Sequence, residues 1–200
     1  MHVNNEQTNT QKMLQHNQAK ERIYSGSLQR KLVDLINLDG GKNNIDIRES
    51  TILNCVDYSV ETLKSLFGSP SSVTILSDVD PQLLIKIKFI EKVDCNQLVF
   101  SSPSRFSQDA SLPRTIRIFV NRSQIDFSDV SDDSIPPAVQ IELPFEYPKE
   151  GFVVPLVGTK FGRVASIEIF VEDNYGTEIT EMGNIKLEGF LTPTYHVEYK

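Results

Sequence analysis

The residues of this chain best suited to chemistry are carboxylates in a short acidic segment. Phe127 lies among four aspartates: Asp126, Asp129, Asp132 and Asp133. A calcium loop needs converging oxygen ligands and a glycine at its sharp turn, and this segment has no glycine and a different spacing. A glycosidase needs two acids facing each other across a sugar cleft, and the chain has no tryptophan to line one. The segment therefore predicts neither a metal site nor an acid–base pair.

The cysteines, the C-terminal histidine and the Gly-Thr-Lys tripeptide do not form functional motifs either. Cys55 and Cys95 lie far apart and form no Cys-x-x-Cys motif, so they predict buried thiols rather than a redox pair or a zinc site. His196 lies near the C-terminal end, where a catalytic base is poorly positioned. The tripeptide Gly158-Thr159-Lys160 lacks the spacing of a phosphate-binding loop. We therefore expect no enzyme activity, no metal and no cofactor.

The net charge of the chain argues against nucleic acid and anionic membranes as partners. Acidic residues number 27 and basic residues 20, which gives a net charge of −7. Binding to nucleic acid or to an anionic membrane surface needs clustered Lys and Arg, so we expect neither partner. The N-terminal region is polar, unlike a signal peptide, and no run approaches the ~20 apolar residues of a membrane helix. A cytoplasmic location is expected, with the nucleus left open.

Most of the chain beyond residue 45 has the two-residue periodicity of β-strands. In the segment 165–176, Ile167, Ile169 and Val171 alternate with other positions to form one apolar face, and a turn follows. Further strands are predicted at 83–89, 93–100, 115–120, 139–143 and 185–187. Short strands separated by Asp-, Ser- and Pro-rich loops are typical of an all-β sandwich or jelly roll.

Two helices and two tails complete the predicted layout. A helix is predicted over 27–37, because its leucines share one face, and another over 60–67, which a glycine follows. Residues 1–26 are rich in Asn and Gln and are predicted to be a disordered polar tail. We expect one domain over 27–191 and a tail over 192–200. The oligomeric state is not predicted.

A series of short motifs runs along most of the chain. The longest reads Ser-Asp-Val-Asp-Pro-Gln-Leu-Leu-Ile at 77–85. The others are Val-Asp-Leu-Ile-Asn at 33–37, Leu-Asn-Cys at 53–55, Ile-Arg-Ile-Phe-Val-Asn at 116–121, Asp126-Phe127, Val-Pro-Leu at 154–156, Lys160-Phe161 and the stretch 167–176, through to Gly189. In this order the chain resembles the PITH domain family. That module is found at the C-terminus of proteasome-interacting thioredoxin-like proteins and also as a stand-alone protein.

The resemblance implies a jelly-roll β-sandwich of the galactose-binding-like type. It also implies association with the proteasome regulatory particle and no catalysis by the domain itself. The thioredoxin domain and its redox pair are absent from the sequence, so thiol–disulfide chemistry is not implied. Residues 38–52 look like an insertion. Val157 stands where the family commonly has arginine, so a contact made by that arginine is not implied either.

Two functions from different classes are predicted. The first is a protein-interaction module that docks on the proteasome. Its candidate contact residues lie in the acidic segment and the C-terminal tail: Asp126, Phe127, Asp129, Asp132, Asp133, Tyr195, His196 and Tyr199. Phe127 either projects as an apolar anchor or packs inward to fasten the segment. The second is a small-ligand or carbohydrate-binding module, in which loops 101–112 and 173–176 form a binding end and Tyr175 contacts the ligand.

Overall fold

The described part of the chain is built mostly from β-strands. The computed structural model describes residues 33–36, 44–68, 74–103, 107, 109–131, 134–148 and 150–191. The strands in these ranges are β1 (Val33–Asp34), β2 (Thr51–Leu53), β3 (Ile75–Leu76), β4 (Leu83–Phe100), β5 (Ala110–Ser111), β6 (Thr115–Val120), β7 (Val139–Glu142), β8 (Phe152–Pro155), β9 (Val164–Val171), β10 (Ile179–Met182) and β11 (Ile185–Leu191). Between them lie helix α1 (Val60–Phe67), helix α2 (Phe127–Ser131) and a 3₁₀ turn (Thr159–Phe161). The predicted all-β fold is confirmed.

The long strand β4 takes part in both halves of the main sheet. Its first half, Leu83 to Lys88, pairs with β2 on one side and β9 on the other. Its second half, Val93 to Phe100, pairs with β11 on one side and β8 on the other. The partners change at residues 90–92, which are exposed. The sheet order is β1-β11-β4-β9-β6-β7, with β2 and β8 also beside β4, and the sheet curls around this strand.

Both halves of β4 contribute to one hydrophobic core. Its first half supplies Leu83, Ile85 and Ile87, and its second half supplies Val93, Cys95 and Leu98. A smaller sheet, in the order β3-β10-β5, adds Ile75 and Met182 to the same core. Burial of apolar surface stabilises a fold by about 25 cal/mol per Å², so this shared core holds the layers of the sandwich together.

The opposite face of the main sheet is covered as well. A second apolar cluster joins three sheet residues to two residues of the segment that follows β6: Leu84, Phe119, Phe170, Ile125 and Val130. The period-two pattern of β9 predicts one buried face, and the structure buries the alternate side chains too. The segment 121–131, which includes α2, covers them with its own apolar side chains, Ile125 and Val130.

The helix predicted over 27–37 is wrong in its described part. Val33 and Asp34 form β1, which pairs with Gly189 and Glu188 of β11. The backbone N–H of Leu35 then donates to the carbonyl oxygen of Leu187 at 2.7 Å. Extending the sheet satisfies these backbone groups, and that tertiary pairing outweighs the local preference for a helix. Residues 27–32 and 37 lie outside the described residues.

The helix predicted at 60–67 is confirmed as α1. Ser59 caps its N-terminus, because the Ser59 hydroxyl accepts a hydrogen bond from the Thr62 N–H at 3.1 Å. At the other end, the Asn184 amide donates to the carbonyl oxygens of Leu66 at 2.8 Å and Gly68 at 2.6 Å. Both ends of the helix therefore have partners, which fixes α1 against the start of β11.

The predicted domain boundaries stay a prediction. The tails, 1–26 and 192–200, lie outside the described residues. Within the segment predicted as an insertion, 38–52, Ile45 forms a bridge with Phe89, and residues 51 and 52 belong to β2. This part of the segment therefore belongs to the sheet.

A bulge in β11 leaves no room for a side chain at Gly189. The pairing of β11 with β4 shifts register between Glu188 and Gly189. A Cβ atom at Gly189 would overlap the carbonyl oxygen of Asp94 and lie 2.7 Å from Leu35 Cδ1. We expect Gly189→Ala to lower the free energy of unfolding by about 1–3 kcal/mol, because backbone must move to admit the methyl group.

Chemical denaturation measures this loss, and Gly162→Ala is the matched control. A Cβ at Gly162 would meet nothing closer than the carbonyl oxygen of Thr159 at 3.4 Å, and this glycine has an ordinary negative φ. The control should stay within about 0.5 kcal/mol of the native chain. Equal losses for both variants would contradict the steric argument.

Candidate functional site

Phe127 of the acidic segment packs inward. Its ring lies 6.1 Å from that of Phe170, with an interplanar angle of 72°, which is an edge-to-face contact. The side chain is half-buried against the second apolar cluster. Of the two alternatives for Phe127, the structure favours the one in which it fastens the segment. Asp132 and Asp133 lie outside the described residues.

The described aspartates of this segment cap helix α2. Asp126 Oδ1 accepts hydrogen bonds from the Ser128 N–H at 2.9 Å, the Ser128 hydroxyl at 2.6 Å and the Asp129 N–H at 3.2 Å. Asp129 Oδ2 accepts from the Asp126 N–H at 3.0 Å in return. The Ser128 hydroxyl bond and the backbone bonds hold the pKa of Asp126 below its ordinary value. These carboxylates therefore define the start of the helix.

A buried arginine holds the same segment on the sheet. Arg117 of β6 is only 7% exposed. Its Nε and Nη2 atoms contact the two carboxylate oxygens of Glu172 at 2.9 and 2.8 Å, and its Nη1 atom donates to the carbonyl oxygen of Val130 at 3.1 Å. A two-point contact of this kind fixes the guanidinium plane. Arg117 thereby joins β6, the end of β9 and α2.

Glu168 of β9 is a fully buried carboxylate beneath the segment. Its Oε2 atom accepts a hydrogen bond from the Arg122 N–H at 3.3 Å, and its Oε1 atom has no hydrogen-bond partner among the described residues. Burial raises the pKa of Glu168, and the Ser166 hydroxyl and the Lys86 charge only partly oppose this effect. Sequence analysis missed this group. The available signal was its place between Ile167 and Ile169 in a strongly apolar strand.

Tyr175 supports a loop at one end of the sandwich. Its hydroxyl donates a hydrogen bond to the carbonyl oxygen of Leu143, and its ring meets that of Phe145 edge-on at a centroid distance of 5.1 Å. The preceding residue, Asn174, accepts hydrogen bonds from the N–H groups of Gly176 and Thr177 at 2.9 and 3.1 Å. The turn is therefore fixed, and Tyr175 is committed to the loop that contains Phe145.

A cavity of about 460 Å³ lies at this end. From the predicted loop 101–112, its lining includes Ser102, Ser111 and Leu112. Phe145 and Tyr147, which were not predicted, also line it, whereas the predicted loop 173–176 with Tyr175 does not. Ligand pockets commonly have about 300–1,000 Å³ of volume and mix apolar with a few polar groups, and this cavity is of that kind. The predicted contact residues Tyr195, His196 and Tyr199 lie outside the described residues.

Neither cysteine has the properties of a redox thiol. Cys95 is buried, and burial raises its pKa to about 12. Burial also raises the pKa of Cys55. Reactive cysteines have a lowered pKa, because the thiolate is the nucleophile. In the part of the chain that the structure describes, no cluster of three or more His, Cys, Asp or Glu residues is placed to hold a metal ion. No helix in the same ranges has the length and apolar character that crossing a bilayer requires.

Comparison with known proteins identifies relatives over most of the chain. A model of the PITH domain matches residues 42–197. Thioredoxin-like protein 1 of Schizosaccharomyces pombe is 31% identical over 144 residues, which cover 70% of this chain and 49% of that protein. PITH domain-containing protein ZK353.9 of Caenorhabditis elegans is 31% identical over 114 residues, which cover 56% of this chain and 50% of that protein. The chain thus spans about half the length of these curated relatives.

Among solved structures, CBM32 and F5/8 type C domains are similar to this chain. CBM32-3 from a family 31 glycoside hydrolase of Clostridium perfringens has 8% identity and a TM-score of 0.47, covering 73% of this chain and 95% of the module. The F5/8 type C domain of a Bacteroides fragilis protein has 10% identity and a TM-score of 0.47, covering 76% of this chain and all of that domain. Neither likeness bears on what this chain binds.

The burial of Glu168 predicts a specific dependence of stability on pH. Because its pKa is raised in the folded state, folding gains stability from the protonated group below the ordinary pKa of 4.5 and loses it as the pH rises through the folded-state value. Glu168→Gln keeps an acceptor for the Arg122 N–H and carries no charge. We expect this variant to unfold at a higher temperature than the native chain at pH 8.

The difference between the variant and the native chain should shrink as the pH falls toward 4. Thermal unfolding at several pH values measures it. Glu178→Gln, which changes an exposed carboxylate, is the matched control and should show little difference at any pH. A difference for Glu168→Gln that does not vary with pH would contradict the assignment.

Proposed function

The chain belongs to the PITH domain family, and from that premise we propose that it is a non-catalytic protein-interaction module that associates with the proteasome regulatory particle. The observation that carries the proposal is the family match over residues 42–197. This range includes every described strand except β1. The motif order that resembles proteasome-interacting relatives supports the choice of partner.

The state of the two thiols supports the non-catalytic part of the proposal. Disulfide exchange needs an accessible thiol with a lowered pKa and a second thiol nearby. Cys95 is 7% exposed with a pKa of about 12, and the pKa of Cys55 is raised too. These are structural cysteines that pack as small apolar groups.

The charge of the chain supports a protein partner. With a net charge of −7, the chain repels phosphate backbones and anionic lipid surfaces and attracts basic protein surfaces. Neither nucleic acid nor membrane is part of the proposal. We place the protein in the cytoplasm, with the nucleus as the alternative.

Purified proteasome particles test the proposal directly. The full chain, immobilised through one terminus, should retain the 26S proteasome, which carries the regulatory particle, and should not retain the free 20S core. Native mass spectrometry or peptidase activity of the eluate measures the retention. Failure to retain 26S, or equal retention of both particles, would contradict the proposal.

A chain without residues 192–200 tests the predicted contacts of Tyr195, His196 and Tyr199. If the shortened chain retains the 26S proteasome as well as the full chain does, these three residues are not contact residues.

A second candidate function, small-ligand binding, is favoured by one observation. The cavity of about 460 Å³ lies between one of the two predicted ligand-binding loops, 101–112, and residues 145–147, and it has aromatic and hydroxyl groups on its walls. A ligand that binds the folded state must raise the midpoint of thermal unfolding.

Thermal-shift screening with neutral monosaccharides and common metabolites tests this function. At a ligand concentration 100 times Kd, binding adds about 2.7 kcal/mol of stability, which is a shift of a few degrees. Phe145→Ser alters an exposed aromatic side chain of the cavity wall and should abolish the shift. Absence of any shift, or a shift that survives Phe145→Ser, would exclude a ligand in this cavity.

A further inference from the structure

Two neighbouring loops expose apolar and acidic side chains together. Val79 is 84% exposed and Val56 is 58% exposed, both high values for aliphatic side chains. Asp57, Asp78 and Asp80 in the same two loops are exposed as well. We call this set of five residues the Val79 surface. It lies outside the acidic segment around Phe127 and outside the cavity wall.

Backbone contacts place the two loops side by side. Cys55 and Ser77 form an antiparallel bridge. On one side of the bridge, the Val56 N–H donates to the carbonyl oxygen of Leu76 at 3.1 Å. On the other side, the Asp78 N–H donates to the carbonyl oxygen of Asn54 at 3.0 Å. The two loops that carry the five residues of the Val79 surface therefore lie side by side.

The side chain of Asn54 fixes the position of Val79. Its Oδ1 atom accepts a hydrogen bond from the Val79 N–H at 3.0 Å. Its Nδ2 atom donates to the carbonyl oxygen of Gln82 at 2.6 Å and to Asp80 Oδ1 at 2.9 Å. Asn54 has a φ of 60°, a conformation that asparagine tolerates better than most residues. The exposed side chain of Val79 therefore lies on a loop whose conformation is fixed by hydrogen bonds to Asn54.

Strand β10 anchors this loop from below. The Ser77 side chain is fully buried, and its hydroxyl accepts a hydrogen bond from the Thr180 N–H at 2.9 Å. The Thr180 hydroxyl donates to the carbonyl oxygen of Pro81 at 2.6 Å. A partner that binds here would meet a surface whose conformation is already set, so little conformational entropy is lost on binding.

Within the two described loops, 54–58 and 77–82, the charged residues are all aspartates. Burial raises the pKa of Cys55, and the nearby carboxylates of Asp57 and Asp78 contribute to the same effect, which places both of them close to this thiol. Asp80 lies one residue beyond Val79. An apolar centre with charged groups around it is the usual anatomy of a protein interface. Carboxylates on this chain would be complemented by Lys or Arg side chains on the partner protein.

We propose that the Val79 surface docks on a basic protein surface of the regulatory particle, where Val79 and Val56 contact an apolar side chain and the three aspartates face Lys or Arg. The inference rests on the proposed function and names the contact surface of this chain and the chemistry of its partner. A partner that covers the two valines with an apolar side chain and pairs the three carboxylates with Lys or Arg would satisfy both features of this surface.

Binding of purified 26S proteasome to variants of the full chain tests this inference. We expect Val79→Ser to weaken the dissociation constant about tenfold, the size of effect that removal of an interface anchor produces. Val56→Ser is a second variant of the same patch and should act in the same direction. Val157→Ser is the matched control, because Val157 is 77% exposed and belongs to a different loop. Its affinity should equal that of the native chain.

A second set of variants tests the charges. The double variant Asp57→Asn with Asp78→Asn should bind more weakly at low salt and lose part of the salt dependence of the native chain. Glu178→Gln changes an exposed carboxylate elsewhere and should change neither. Asp80 is left intact because it accepts a hydrogen bond from Asn54. The thermal unfolding midpoint of each variant checks that the fold is retained.

The outcomes distinguish failure of the Val79 surface from failure of the proposed function. Native affinity in both Val79→Ser and Val56→Ser, with the native chain binding the 26S proteasome, would overturn the Val79 surface and leave the proposed function standing. An equal loss in Val157→Ser would also overturn it, because the effect would then be general. If the native chain does not bind the particle, both the proposed function and this inference fail.

Discussion

The whole structure depends on β4 finding hydrogen-bond partners on both edges as it passes from one half of the sheet to the other. Its 18 residues pair first with β2 and β9 and then with β11 and β8. An unpaired buried backbone group costs about as much as a lost hydrogen bond. The strand can therefore change layers only where it is exposed, at residues 90–92. β4 thereby aligns β2, β8, β9 and β11 in the main sheet.

Coverage of the second sheet face is the other organising constraint. The side chains of Leu84, Phe119 and Phe170 need an apolar cover, and the segment 121–131 supplies it. Polar groups then hold the cover in place. Arg117 donates a hydrogen bond to the carbonyl oxygen of Val130, and Asp126 and Asp129, two of the predicted contact residues, cap helix α2. The carboxylate of Glu168 is fully buried and accepts a hydrogen bond from the Arg122 N–H at the start of this cover.

Much of the strand pattern could be predicted from alternation, whereas the features that need distant partners could not. The segments 83–89 and 93–100 were predicted as strands, but their union into β4 depends on neighbours far along the chain. The leucine spacing at 27–37 is typical of a helix, but pairing with β11 places Val33 and Asp34 in a strand. Residues of the loop 101–112 line a cavity, whereas the other predicted loop, 173–176, does not. The role of Asn54 depends on a loop more than twenty residues away, which local spacing does not reveal.

The placement of the last strands has a consequence for how this chain acquires its structure during synthesis. β11 completes the edge of β4 and receives β1, and β10 joins β3 and β5. Contacts between such distant residues give a high contact order, which slows folding. On the ribosome, one edge of β4 from Val93 to Phe100 stays open until residues 185–191 emerge. A nascent chain at that stage offers an unprotected strand edge, which is the situation in which chaperones or premature β-pairing compete with the native fold.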